Sequence, residues 1–151
     1  MNWNVASIST SIFALFFALS GVSAASAQGA NASGLWLTQK GDARIQVSKC
    51  GSALCGKVVW LKDAIDPQTN KPQTDDKNPN PGLATRPMIG VQLFIEMNSN
   101  GSNSWAGKIY NADDGGTYDS KVKLVGPGQL SVEGCLGAIC GGEIWTKLGG
   151  R

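Results

Sequence analysis

Two segments of this chain repeat one pattern, and together they hold all four of its cysteines. The first runs Cys50-Gly51-Ser52-Ala53-Leu54-Cys55-Gly56 and continues to Trp60 and Lys62; the second runs Cys135-Leu136-Gly137-Ala138-Ile139-Cys140-Gly141 and continues to Trp145 and Lys147. Each sets two cysteines between apolar, β-branched stretches, which is the pattern of a β-hairpin pinned near its tip. Four cysteines permit three connectivities. Chain entropy favours a bridge between the hairpins, worth about 4.5 kcal/mol against about 2 kcal/mol for each local loop. Strand geometry favours the local pairs Cys50–Cys55 and Cys135–Cys140, and that pairing is the expectation. A tetrathiolate zinc site is the competing reading, because two cysteine hairpins can wrap one metal. Exported chains usually oxidise, so disulfides are expected, with no metal.

The amino terminus points to the same compartment. Residues 12–19 form an apolar run, and the small residues 22–27 follow it. This is the pattern of a secretory signal spanning residues 1–27 and cleaved after Ala27. Because residues 1–4 contain no Lys or Arg, an uncleaved amphiphilic leader is the alternative. Residues 28–151 then make one domain by length, expected in the periplasm or outside the cell. No later segment approaches the roughly 20 apolar residues of a transmembrane helix. The chain has 13 basic and 11 acidic residues, a net charge of +2, and no basic run. Nucleic acid is therefore not an expected partner.

Residue alternation allows the strands to be counted. Placing Cys50 opposite Cys55 sets Ile45 against Trp60 and Val47 against Val58 on one face, leaving Arg44, Gln46 and Lys57 on the other. The same construction on the second hairpin sets Trp145 against Leu130 and Glu143 against Val132, so Glu143 points inward. Between the hairpins, Ile89, Val91, Leu93 and Ile95 alternate, as do Trp105, Gly107 and Ile109, and then Tyr118, Ser120, Val122 and Leu124. With residues 34–38, this predicts about eight strands separated by glycine-rich turns. Eight sequential antiparallel strands close into a single all-β, up-and-down barrel, because closure removes exposed edges. Such a barrel fills its own interior or holds one small ligand. Residues 62–87 break the alternation and carry five of the six prolines. A rigid polar loop folded over one barrel mouth is expected there.

The chain contains no histidine, which excludes imidazole-based triads and metal sites. With the cysteines paired, enzymatic options shrink to carboxylates, Lys and Tyr; no catalytic residue and no cofactor is assigned. Glu143 is the sharpest candidate, since a carboxylate on an apolar face has a raised pKa and can act as an acid or bind a polar ligand head. The alternative puts it at the solvated rim. Asn111, Asp113, Asp114 and Asp119 invite a calcium reading, but the twelfth position from Asn111 is Val122, and a glycine-rich turn is preferred. In the long loop, Asp75, Asp76, Asn78 and Arg86 form either a polar site, with Arg86 as an anion clamp, or internal caps of loop backbone. Lys108 and Tyr110 are expected to point outward.

Several ordered motifs now converge. Residues 50–61, Asp75 to Pro81, Arg86 to Gly90, Gly107 to Tyr118 and Trp145 to Lys147 together resemble the DUF2147 family of exported bacterial proteins, across 34–147. The resemblance implies a lipocalin-like barrel and envelope localisation, and the family's function is uncharacterised. This chain departs from the family pattern at Asn111 and Ala112, at Gly116 and at Lys147. Gly34-Leu35-Trp36 also resembles the motif that opens the first lipocalin strand, which implies a cation from Lys147 or Arg151 over the Trp36 ring.

The leading functional expectation is a periplasmic binding module holding a small, partly hydrophobic ligand, such as a fatty acid, against Trp60, Trp105, Tyr118 and Trp145, with Arg86 and Glu143 as polar contacts. Two alternatives stand beside it. One is a carboxylate enzyme using Glu143 with loop residues; the other is a structural or interaction protein of the envelope with a filled barrel. Sequence does not assign the oligomeric state.

Overall fold

A computed structural model describes residues 31–149; the expected signal segment and Arg151 lie outside the described residues. The strands are β1 (Gly34–Leu37), β2 (Ala43–Cys50), β3 (Ala53–Leu61), β4 (Ile65–Asp66), β5 (Lys71–Pro72), β6 (Phe94–Ser99), β7 (Ser104–Asn111), β8 (Gly116–Gly126), β9 (Gln129–Leu136) and β10 (Ile139–Leu148). A single short helix, α1 (Pro81–Ala84), lies between β5 and β6. Eight of the strands form a closed antiparallel barrel in the order β1-β10-β9-β8-β7-β6-β3-β2, as the alternation predicts. Trp36 of β1 pairs with Lys147 of β10 to complete the ring.

Both cysteine pairs are local disulfides, Cys50–Cys55 and Cys135–Cys140. Their registers differ because the turning glycine sits at different places. In β9–β10, Cys135 lies opposite Cys140 and the chain turns at Gly137-Ala138, so Trp145 faces Leu130 and Glu143 faces Val132, as expected. In β2–β3 the glycine follows Cys50 directly, the chain turns at Gly51-Ser52, and Cys50 faces Ala53 while Cys55 faces Ser48. Gly51 and Gly137 both take φ of 62°, the left-handed region that a two-residue hairpin turn needs and glycine adopts at no steric cost. The cysteines follow the turn; they do not set it.

A shift of two residues leaves faces unchanged, so Ile45, Val47 and Val58 are buried as expected. Trp60 is not. A bulge opposite Arg44 and Ile45 makes Val59 an extra residue: Ile45 pairs with Val58, but Arg44 pairs with Trp60. Trp60 is thereby turned to the outer face, where the Arg44 guanidinium lies 4.4 Å from its ring centroid. The alternation predicted across residues 89–95 breaks between Leu93 and Phe94, where β6 begins, and a second bulge follows between Ile95 and Asn98. Val91 and Leu93 are buried, but so are Phe94 and Met97, while Ile89 and Ile95 are 47% and 38% exposed. Phe94 enters the barrel because Gly56 leaves it room: a Cβ there would stand 2.8 Å from the Phe94 ring.

The interior has two halves. At the end carrying the β2–β3, β6–β7 and β8–β9 turns, Trp36, Val47, Leu54, Met97, Trp105, Val122 and Leu130 fill the barrel, each at most 8% exposed. Trp36 donates its indole N–H to the Ala32 carbonyl (2.9 Å), and Lys147 stands 5.5 Å over its ring, the cation expected there. The opposite end is open.

Candidate functional site

The open end holds a cavity of about 650 Å³. Its walls come from inward positions of the strands, chiefly Ile45, Val58, Leu93, Ile109, Val132 and Trp145. Phe94 stacks on Trp145, with ring centroids 5.7 Å apart and planes 6° from parallel, so two aromatic rings lie where the cavity meets the filled half. Around the mouth the lining is polar, because it comes from turns: Lys40 and Asp42 follow β1, Asp63 follows β3, and Asp113 and Asp114 lie between β7 and β8. The β9–β10 tip contributes Leu136 and Ile139, 74% and 80% exposed, on the loop closed by Cys135–Cys140.

Glu143 lines this cavity, half-buried two residues from Trp145 and on the same face. The Trp145 indole N–H donates to its Oε1, which holds the carboxylate in one orientation. Among the described residues no Lys or Arg makes an ion pair with it. Tyr118, also in the lining, donates its hydroxyl to Asp114 Oδ2 at 2.9 Å. Asp114 further accepts from the Gly116 backbone N–H (2.7 Å) and from Asn111 (3.0 Å). The backbone bond, then the Tyr118 hydroxyl, hold its carboxyl below the usual range, while the shared hydrogen bond pushes Tyr118 up. These contacts close a turn, the preferred reading of the acidic segment. Asp119 meanwhile pairs outward with Lys108 at 2.8 Å.

The connection over residues 62–87 holds local structure of its own, the β4–β5 hairpin and α1. Asp66 caps the β4–β5 hairpin by accepting from the Gln68 N–H (2.7 Å), and Asn80 caps α1 by accepting from the Gly82 N–H (2.9 Å), with Pro81 opening the helix. Its anchor is Asp75, whose side chain is fully buried. Oδ1 accepts from the Tyr110 hydroxyl at 2.6 Å; Oδ2 accepts from Arg86 Nε (2.9 Å), Arg86 Nη2 (2.7 Å) and Asn78 Nδ2 (2.8 Å). Burial alone would raise this carboxyl's pKa; the hydrogen bonds from Tyr110, Asn78 and Arg86, with the guanidinium charge, outweigh it and hold the group below its usual range. Burial, then the bond to Asp75, push Tyr110 up to about 12. The clamp also abuts the β7–β8 turn: a Cβ on Gly115 (φ 75°) would sit 1.9 Å from the Lys77 carbonyl oxygen.

Of the residues singled out in the sequence, Tyr118, Glu143 and Trp145 come together in the cavity, and Tyr110, Asn111, Asp113 and Asp114 line it too. Trp105 points inward but belongs to the filled half, and Trp60 is outside, so neither lines it. Arg86 is engaged by Asp75, and Asn78 by Asp75 and Tyr110; Asp76 pairs with Lys77 at 3.5 Å on the surface. The loop cluster is therefore an internal clamp rather than part of the cavity. Tyr110 alternates with the inward Ile109 as expected, yet it is 7% exposed because the loop covers it. Leu93 belongs to a set that alternation singled out; lining residues outside those sets include Met88 and the turn residues Lys40, Asp42 and Asp63. Their signal was available only as polar turns at alternate strand ends, which share one mouth once the strand order is known.

Residues 34–147 match the model of a family described as an uncharacterized protein conserved in bacteria, DUF2147. The fold is similar to a solved structure from Helicobacter pylori, described as a protein belonging to the lipocalin family. The likeness has a TM-score of 0.67 at 22% identity and covers 79% of this chain and 84% of that one. No curated protein matches the chain.

Proposed function

Because the chain belongs to the DUF2147 family of bacterial proteins and folds as a lipocalin-like barrel, we propose that it is an exported binding protein that holds one small, partly hydrophobic molecule in the open half of the barrel. The cavity of about 650 Å³ carries this reading. It falls in the range of small-molecule sites, roughly 300–1,000 Å³, and has their composition: apolar walls and a few convergent polar groups. A barrel that served only as a structural body would have little reason to leave this half open while packing the other. The two disulfides support export to an oxidising compartment. Glu143 supports binding more than catalysis, since its oriented oxygen is held by an indole N–H, which offers no proton-transfer partner near neutral pH.

Native mass spectrometry of protein taken from its own periplasm tests this, with masses compared before and after denaturation and before and after reduction. The expected result is a chain lacking residues 1–27, carrying two disulfides and releasing a small molecule on denaturation. A mature chain that yields no extracted molecule and takes up no hydrophobic probe would remove the binding reading, and one still starting at Met1 would remove cleavage.

A further inference from the structure

The chain as a whole carries a net charge of +2, from 13 basic and 11 acidic residues. Its cavity has the opposite sign. Asp42, Asp63, Asp113, Asp114 and Glu143 line it, and Lys40 is the one basic residue among the lining. Lys40 stands 4.0 Å from Asp113, an exposed and loose pairing, and among the described residues no ion pair joins the other four carboxylates to a cation. Elsewhere the chain keeps 12 basic against 6 acidic residues, by subtraction of the cavity's 1 and 5 from the totals. Negative charge is thus concentrated where a ligand would enter an otherwise basic molecule, and a concave site with apolar walls focuses such a field.

From this asymmetry we infer that the cavity selects amphiphiles whose polar end is a cation, a protonated or quaternary amine, over those ending in a carboxylate. The inference rests on the binding reading above and narrows its ligand class. The apolar portion lies against Ile45, Val58, Val132 and Trp145, and the ammonium meets Glu143. That carboxylate is already oriented by the Trp145 N–H through one oxygen, so little side-chain freedom is lost when the other oxygen accepts a charge-assisted bond. Aspartates at the mouth add attraction on approach. A carboxylate-ended chain, including a fatty acid, meets repulsion at both places.

A matched series decides it: decylammonium, decanol and decanoate, each titrated below its aggregation threshold at pH 7 and low salt, followed by calorimetry and by fluorescence of the cavity tryptophan. The amine is expected to bind at least tenfold tighter than the alcohol, about 1.4 kcal/mol, and decanoate more weakly than either. Added salt should shrink the amine's advantage. Glu143→Gln should bring the amine-to-alcohol ratio close to one, and Asp63→Asn should lower it less. Far-ultraviolet circular dichroism verifies that both variants are folded. Decanoate binding as tightly as the amine, or a ratio unmoved by Glu143→Gln in a folded variant, would overturn the charge inference while leaving the binding reading in place. If none of the three binds, the binding reading falls and takes this inference with it.

Discussion

In the β2–β3 hairpin the glycine that turns the chain follows Cys50 at once, whereas in the β9–β10 hairpin Leu136 stands between Cys135 and Gly137. That displacement of one residue separates two segments otherwise spelled almost alike. The first disulfide runs diagonally, with Cα atoms 5.7 Å apart, and lies at the packed end of the barrel; the second joins facing residues 4.1 Å apart and lies at the mouth. Downstream, the bulge at Val59 throws Trp60 out onto Arg44, while unbroken register keeps Trp145 in the cavity. Similar sets of Cys, Gly and Trp therefore do different work: one hairpin closes the barrel and the other shapes its opening.

Tryptophan substitutions probe this contrast most strongly. Trp145→Ala should cost about 3–5 kcal/mol in denaturant unfolding, as expected for a buried aromatic, and should abolish uptake of a hydrophobic probe. Trp60→Ala should cost under about 1 kcal/mol, the scale of an exposed cation–π contact, and leave uptake intact. Equal costs would break the comparison. Next in size, Asp75→Ala should destabilise by about 3 kcal/mol, because it strands Arg86 and Tyr110 beneath the loop that shares the mouth with the second hairpin.

The same clamp makes stability depend on pH at both extremes. Tyr110 has its folded pKa raised from 10.0 to about 12, so its contribution is complete below pH 10 and fades as pH climbs toward 12. A rise of that size in a buried hydroxyl corresponds to about 2–3 kcal/mol. Asp75 has its folded pKa lowered, so its contribution is present above the ordinary carboxyl range and is lost as acid titrates it through its folded value. Alkaline unfolding of Tyr110→Phe should show a smaller drop between pH 10 and 12 than the parent. An unchanged drop would mean that the loop does not depend on this hydroxyl.

Smaller effects should separate the disulfides by location. Replacing either pair by serine should cost about 2 kcal/mol, but only the Cys135/Cys140 replacement should change probe affinity, because only that pair bounds the mouth. Smallest of all, Gly51→Ala and Gly137→Ala should each cost about 1 kcal/mol for forcing a side chain into positive φ. Hydrogen exchange should locate the first loss at the packed end and the second at the open one.

Much of this was legible from residue order. Strand number, barrel closure, local disulfides and the register of β9–β10 follow from alternation and turn residues, since one buried face specifies each strand, whereas a cation over Trp36, from Lys147 or Arg151, was implied only by the resemblance to the lipocalin opening motif. Two kinds of feature were not legible. The bulge at Val59 inserts one residue and turns Trp60 to the other face, and β6 begins at Phe94 with the parity broken after Leu93; nothing in Val58-Val59-Trp60 distinguishes a bulge from a regular strand. Burial from outside the barrel was hidden too: Tyr110 has the parity of an outward residue and is covered by a loop arriving from over twenty residues away in sequence. For the cavity, inward parity identified Glu143, Tyr118 and Trp145, but it did not reveal which half of the barrel would be filled. Trp105 was therefore assigned to a site that packing had already closed.

The Phe94–Trp145 stack and the packed half beneath it close the cavity from below, so that it opens at the mouth. If the barrel holds a molecule as proposed, entry and exit would share that route, and one occupant would have to leave before the next arrives. Residence time would then be governed by the segments around the mouth: the residues 62–87 connection and the disulfide-bound β9–β10 tip. A partner that loaded or stripped the barrel would have to engage the molecule there, face to face with the exposed Leu136 and Ile139.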